Sequence, residues 1–217
     1  MSPKGSHGLK PDEHGDVVKE GYDKIAKKYY QDRDLFKNQK EIDDLISHLP
    51  RGAAVLDIGC GGGVPVLKIL VEKGYTTTGV DFSEGMLEIA KENVPEAELI
   101  QGNIMETDFE AGTFDGIIST YAVIHIYKTL HPALYQKIFK WLKPGGVMLV
   151  STSRDEDGED YSTSDYYGVD MVWSHPPASE SLQMIRNTGF EIVIERTVTT
   201  GDETHLWILA QKPNTDT

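Results

Sequence analysis

Apolar residues recur along this chain in two alternating periods. Short apolar runs fall at 53–58, 76–80, 98–101, 114–119 and 147–152, each about the length of a buried strand. Between them, apolar positions three and four apart occupy 64–73, 84–93 and 132–142, the period of a helix with one buried face. Strand and helix in alternation predict an α/β fold, a doubly wound and mostly parallel sheet with helices on both faces. Upstream, Val17, Val18, Tyr22, Ile25, Ala26 and Tyr29 form a helical stripe over 16–31, and a second helix is expected over 35–49, stopped by Pro50. Downstream, 179–188 reads as one more helix, and 190–197 and 205–211 as two more strands.

The first strand runs into Asp57-Ile58-Gly59-Cys60-Gly61-Gly62-Gly63, and the second ends in Val80-Asp81-Phe82. Glycines between a strand and a helix let the backbone approach a ligand closely. An acid closing the next strand, about 20 residues on, can accept both hydroxyls of a ribose. A dinucleotide fingerprint would place its third glycine at 64, with the pyrophosphate on the helix N-terminus, yet that residue is Val64. Asp57 points the same way, because a negative charge there repels a pyrophosphate and attracts an ammonium or a sulfonium. S-adenosylmethionine carries both cations.

The motif acid-x-Gly-x-Gly-x-Gly, here Asp57-x-Gly59-x-Gly61-x-Gly63, resembles the first motif of the class I S-adenosylmethionine-dependent methyltransferases. The resemblance extends through Gln101-Gly102-Asn103-Ile104, Phe114-Asp115-Gly116-Ile117-Ile118-Ser119 and Trp141-Leu142-Lys143-Pro144-Gly145-Gly146. It implies a Rossmann-like sheet of seven strands whose last two make an antiparallel hairpin, and S-adenosylmethionine as the cofactor. Ligands of such sheets lie beyond the carboxyl ends of the strands, which places Asp57, Gly59, Gly61, Gly63, Asp81, Asn103 and the segment from Ser119 to His125 on one cleft. Phe82 and Ile104 match positions that sandwich the adenine in relatives; taken alone, each reads equally as core packing. Position 103 is Asn where many relatives have Asp, so any contact with the adenine amino group is a neutral one.

Tyr22-Asp23-Lys24-Ile25-Ala26-x-x-Tyr29 resembles the N-terminal helix that lids the cofactor in small-molecule methyltransferases. In that reading Tyr22 and Tyr29 face the cofactor, and a tyrosine ring near a sulfonium gains cation–π stabilisation. The competing reading is an amphipathic face with aromatic filler. His125 follows the fourth strand, where the methyl group is expected, and titrates in the range a general base needs. It reads equally as a residue that orders its loop. His131, directly before Pro132, is a helix-entry residue.

The segment 154–178 is acidic first, a pattern that reads as a solvated loop. It is then aromatic, through Tyr161, Tyr166 and Tyr167 to Trp173-Ser174-His175. That second part is expected to fold over the cleft as an acceptor pocket, with Trp173 and His175 at the reaction centre beside His125 and Tyr29. Similar small methyltransferases carry a comparable Trp-Ser-His here and a His-Leu-Trp in the last strand, matched by His205-Leu206-Trp207.

Composition narrows the partners. Thirty-five acidic against 21 basic side chains give a net charge of −14, which argues against nucleic acid or an anionic membrane as partner. The single cysteine, Cys60, permits no intramolecular disulfide, and its place in the glycine loop reads as small filler. No signal-peptide or membrane-spanning run is evident, so a cytoplasmic location is expected. The expected organisation is a flexible segment over 1–15 and one methyltransferase domain over 16–213, in which 16–49 is a helical lid and 154–178 an insertion; 214–217 is expected to fray. No metal is expected. The function implied is methyl transfer from S-adenosylmethionine to oxygen, nitrogen or sulfur of a small acceptor, by a monomer or homodimer. The alternative is a pseudo-methyltransferase that uses the cofactor for structure or sensing.

Overall fold

Seven strands lie side by side in the order β3-β2-β1-β4-β5-β9-β8: β1 is Ala54–Ile58, β2 Thr76–Asp81, β3 Glu98–Gln101, β4 Phe114–Ser119, β5 Leu142–Ser153, β8 Glu191–Thr200 and β9 Glu203–Gln211. This arrangement comes from a computed structural model that describes residues 8–32, 38–201 and 203–214. Neighbours pair in parallel from β3 through β5, and β9 alone runs against both β5 and β8. The chain builds outward from β1 to β3, then returns to β4 on the other side of β1. That return opens a crevice at the carboxyl ends of β1 and β4.

Alternate residues of the central strands feed two apolar layers, which is why these strands read as continuous apolar runs. Leu56, Ile58, Ile117, Met148 and Val150 pack with α5 (His131–Trp141) and α6 (Ala178–Thr188). Val55, Ile118, Val147 and Leu149 pack with Ile42 and Leu45 of α2 (Gln39–Ile46) and with Val66 and Leu70 of α3 (Val66–Glu72). Each fully buried Leu or Ile side chain contributes about 1.5–3 kcal/mol by leaving water. The helix after β2, α4 (Glu84–Asn93), starts at Ser83, whose hydroxyl caps it by accepting from the Met86 amide at 3.2 Å.

Two features correct the sequence reading. The first helix, α1 (Pro11–Asp32), begins inside the stretch expected to be flexible, and His14 is 1% exposed. Its imidazole is held because Nε2 donates to the His125 carbonyl at 3.0 Å. Residues 1–7, 215–217 and the Leu35 start of the expected second helix lie outside the described residues. The second correction is that the insertion is no solvated loop: β6 (Asp160–Tyr166) and β7 (Val169–Ser174) form an antiparallel hairpin. Tyr167 and Gly168 turn it at φ 56° and 86°, the two left-handed positions of a tight hairpin turn. A side chain on Gly21 would meet Met171 Cε at 2.8 Å, so its absence lets α1 lie directly against β7.

Candidate functional site

Beyond the ends of β1, β2 and β4 lies a cavity of about 160 Å³ lined by Asp57, Gly59, Gly61, Asp81 and the loop after β4. Gly59 has φ +72°, and a side chain on it would run into the Ala122 methyl, so only glycine brings this turn against that loop. Gly63, expected on the same cleft, is not among the lining residues. The space beside it is taken by Val94 Cγ2, 2.6 Å from where a Cβ would stand, so this glycine serves helix packing against α4.

Asp57 is 2% exposed and its Oδ1 has no hydrogen-bond partner. Burial, reinforced by the charge of Asp81, pushes its carboxyl up to about 8. A buried, unsatisfied carboxylate oxygen at a cavity wall fits an ammonium group, which would supply the missing donor and the opposite charge. Asp81 is partly satisfied. One oxygen accepts the Gly61 amide at 2.8 Å and the other the Ser83 amide at 2.9 Å, while burial raises its carboxyl to about 6. Each oxygen keeps a lone pair, as two ribose hydroxyls would require. The donor set therefore fits S-adenosylmethionine.

Phe82 and Ile104 both line this cavity as well as packing in apolar clusters, so their two readings coexist. Asn103 lines it too, but its side-chain oxygen already accepts the Met105 amide at 3.0 Å, a local turn that the sequence reading overlooked. Ser119 is a correction. Fully buried, it donates to the Ile58 carbonyl at 2.9 Å, stitching β4 to β1, and it lines neither cavity described here.

A second cavity, of about 250 Å³, opens between the loop after β4, the hairpin and the start of β9. Trp173, His175, Tyr161 and His205 line it, and Tyr22, Tyr121 and His125 line both cavities. The His125 ring is held on two sides. Nδ1 stands 3.0 Å from the Val172 carbonyl, which can only accept, so Nδ1 carries a proton. Nε2 lies 2.9 Å from the Tyr22 hydroxyl. Trp173 is tilted against the same imidazole, with ring centres 5.5 Å apart. Tyr29 lines only the first cavity, its ring edge-on to Tyr22 at 5.3 Å and to Tyr167 at 5.6 Å. His131 is a helix-entry residue as expected; buried at the start of α5, it donates to the Ile126 carbonyl, and burial lowers its pKa to about 4.

Sequence reasoning missed Tyr121 and the Val172 carbonyl. Tyr121 sits at φ 59°, rare for a residue with a side chain, with its amide donating to Ser151 Oγ at 2.7 Å and its hydroxyl accepting from Asn38 at 2.8 Å. Nothing in the local sequence signals that conformation. A backbone carbonyl carries no sequence signature at all. Among the described residues, no group of three or more His, Cys, Asp or Glu could hold a metal ion, and no helix is long and apolar enough to cross a membrane.

Comparisons with known proteins converge on the same chemistry. Residues 55–146 match a family model described as a methyltransferase domain. The putative methyltransferase YqeM of Bacillus subtilis (strain 168) is 27% identical over 186 residues, 75% of each chain. Sterol 24-C-methyltransferase ERG6 of Saccharomyces cerevisiae is 27% identical over 73% of this chain, which spans only 44% of that protein's length. Among solved structures, the fold is similar to that of Burkholderia thailandensis 1,6-didemethyltoxoflavin-N1-methyltransferase, with a TM-score of 0.77 and 18% identity over 99% of this chain and 97% of that one. That structure contains S-adenosylhomocysteine. By its acid-tipped glycine turn, its seven-stranded sheet and these relatives, the chain belongs to the class I S-adenosylmethionine-dependent methyltransferases, with S-adenosylmethionine as its cofactor.

Proposed function

We propose that the protein methylates a small molecule on oxygen, nitrogen or sulfur, with the cofactor in the first cavity and the acceptor in the second. The observation that carries this reading is the shared wall: Tyr22, Tyr121 and His125 belong to both cavities. When bound, S-adenosylmethionine supplies a methyl group activated by a sulfonium. Asp57 holds the ammonium, Asp81 the ribose, and Phe82 and Ile104 flank the adenine. Gly59 and Gly61 bring the backbone close, and Tyr22 and Tyr29 present rings to the cationic end. The domain over 16–213 is complete for this task in one chain, whether it is a monomer or a homodimer. Its net charge of −14 favours small acceptors over nucleic acid.

His125 is the general base in this reading. With Nδ1–H donated to Val172, Nε2 offers its lone pair to the Tyr22 hydroxyl. A proton leaving the acceptor passes to the Tyr22 oxygen as the phenolic proton moves to Nε2. The walls exclude water, and position the acceptor lone pair for in-line attack. The test is incubation with radiolabelled methyl donor and fractionated small-molecule extracts. A labelled small product formed together with S-adenosylhomocysteine supports the reading; tight cofactor binding with no transfer in any fraction assigns a sensory or structural role instead.

A further inference from the structure

The second cavity carries a chemical preference of its own. His175 lines it, although only 3% of its surface is exposed. Its Nδ1 stands 3.2 Å from the Pro176 carbonyl, and because a carbonyl only accepts, the ring proton resides on Nδ1. The other nitrogen, Nε2, is then a pure acceptor. A second proton is disfavoured at this depth, since burial holds the imidazole below its ordinary pKa. Leaving a buried acceptor unmatched is unfavourable, whereas an O–H or N–H of a ligand satisfies it.

The walls around that nitrogen are rings. Tyr161 lies 5.4 Å from His175 at a 33° tilt, and Trp173 lies 5.5 Å from His125 at 36°. On another wall, Tyr121 meets His205 edge-on at 4.8 Å. Enclosed ring surfaces of this kind bind flat aromatic bodies through offset and edge contacts. We infer that the second cavity takes a flat aromatic or heteroaromatic acceptor bearing an O–H or N–H group, and that Nε2 of His175 receives its hydrogen bond. An anionic acceptor is rejected there, because lone pair would face negative charge. This inference rests on the acceptor occupying the second cavity, and it makes His175 the residue that sets substrate class.

The test is calorimetric titration of the intact protein, saturated with S-adenosylhomocysteine, with 1-naphthol, 1-methoxynaphthalene and cyclohexanol. The hydroxyl-bearing ring is expected to bind at least about tenfold more tightly than its methyl ether, and cyclohexanol to bind weakest. In His175→Phe, which keeps a ring but removes the acceptor, naphthol and its ether should bind alike while S-adenosylhomocysteine affinity stays within about twofold. Equal binding of the two naphthalenes by the unaltered protein, or a preference that survives in His175→Phe, overturns the inference. Binding of S-adenosylhomocysteine with no binding of naphthol overturns it too. Should the substituted protein not fold, the comparison in the unaltered protein decides alone. Failure of S-adenosylhomocysteine to bind is a different result, one that overturns the methyltransferase reading itself.

Discussion

Tyr22 of the first helix and His125 of the loop after β4, 103 residues apart in the chain, are joined by a hydrogen bond of 2.9 Å between the phenol oxygen and Nε2. This contact spans the boundary between the two cavities, so it brings a base to the acceptor without taking cofactor-binding groups away from their work. His125→Ala is expected to lower turnover by about 100-fold or more, with cofactor affinity nearly unchanged. Tyr22→Phe removes the relay but keeps the ring, so turnover should fall and the edge contact to Tyr29 should persist. Turnover within about threefold of the parent in both variants would show that chemistry proceeds by proximity alone.

The buried pair Asp57 and Asp81 sets a pH dependence whose sign follows from their raised values. Asp57 titrates near 8 and Asp81 near 6 in the folded protein, against about 3.9 in an unfolded chain. Between those limits the native state holds more protons than the unfolded state, so stability of the ligand-free protein falls as pH rises from about 4 to 8. The cofactor's ammonium needs Asp57 ionised, so affinity should rise over pH 6 to 8 and binding should release a proton. Calorimetry in buffers of different ionisation enthalpy reads that proton directly. In Asp57→Asn the proton release should vanish and affinity should drop.

Much of this site was legible in the sequence because it is local. The glycine turn, its flanking acid, and Asp81 lie on a strand, turn and helix whose hydrophobic periods are unambiguous, and each stands where expected. Ser119 and Gly63 fell out because motif position does not reveal which way a residue faces; one joins two strands and the other seats a helix. The hairpin was hidden for another reason. Its first strand, Asp160–Tyr166, is almost wholly polar, with no apolar alternation to mark it, and is held by pairing with β7 and by Lys128, whose ammonium lies 3.2 Å from Asp160. The buried role of His14 depends on a carbonyl 111 residues away.

Asp81→Ala should weaken cofactor binding by at least about tenfold, since two charge-assisted hydrogen bonds to a ribose are at stake. It also strips the Gly61 and Ser83 amides of their acceptor, which loosens the glycine turn. Comparing S-adenosylhomocysteine with its 2′,3′-dideoxy analogue separates the two effects. The parent should prefer the hydroxylated ligand strongly and the variant should not; a retained preference would move the ribose elsewhere.

Met171 and Trp173 stand two residues apart on β7 and should behave differently when shortened. Met171 is fully buried against the first helix, so Met171→Ala should destabilise the protein by roughly 2–5 kcal/mol through the cavity it leaves. Trp173 is only partly buried, lines the acceptor cavity, and rests against His125 and Tyr166. Trp173→Ala should therefore raise the Michaelis constant for the acceptor at least tenfold while leaving cofactor affinity close to that of the parent. Thermal unfolding and steady-state kinetics on both variants separate scaffold from site. A collapse in melting temperature for Trp173→Ala, with unaltered kinetics in the folded fraction, would make that side chain an anchor of the hairpin and take the aromatic wall out of acceptor binding.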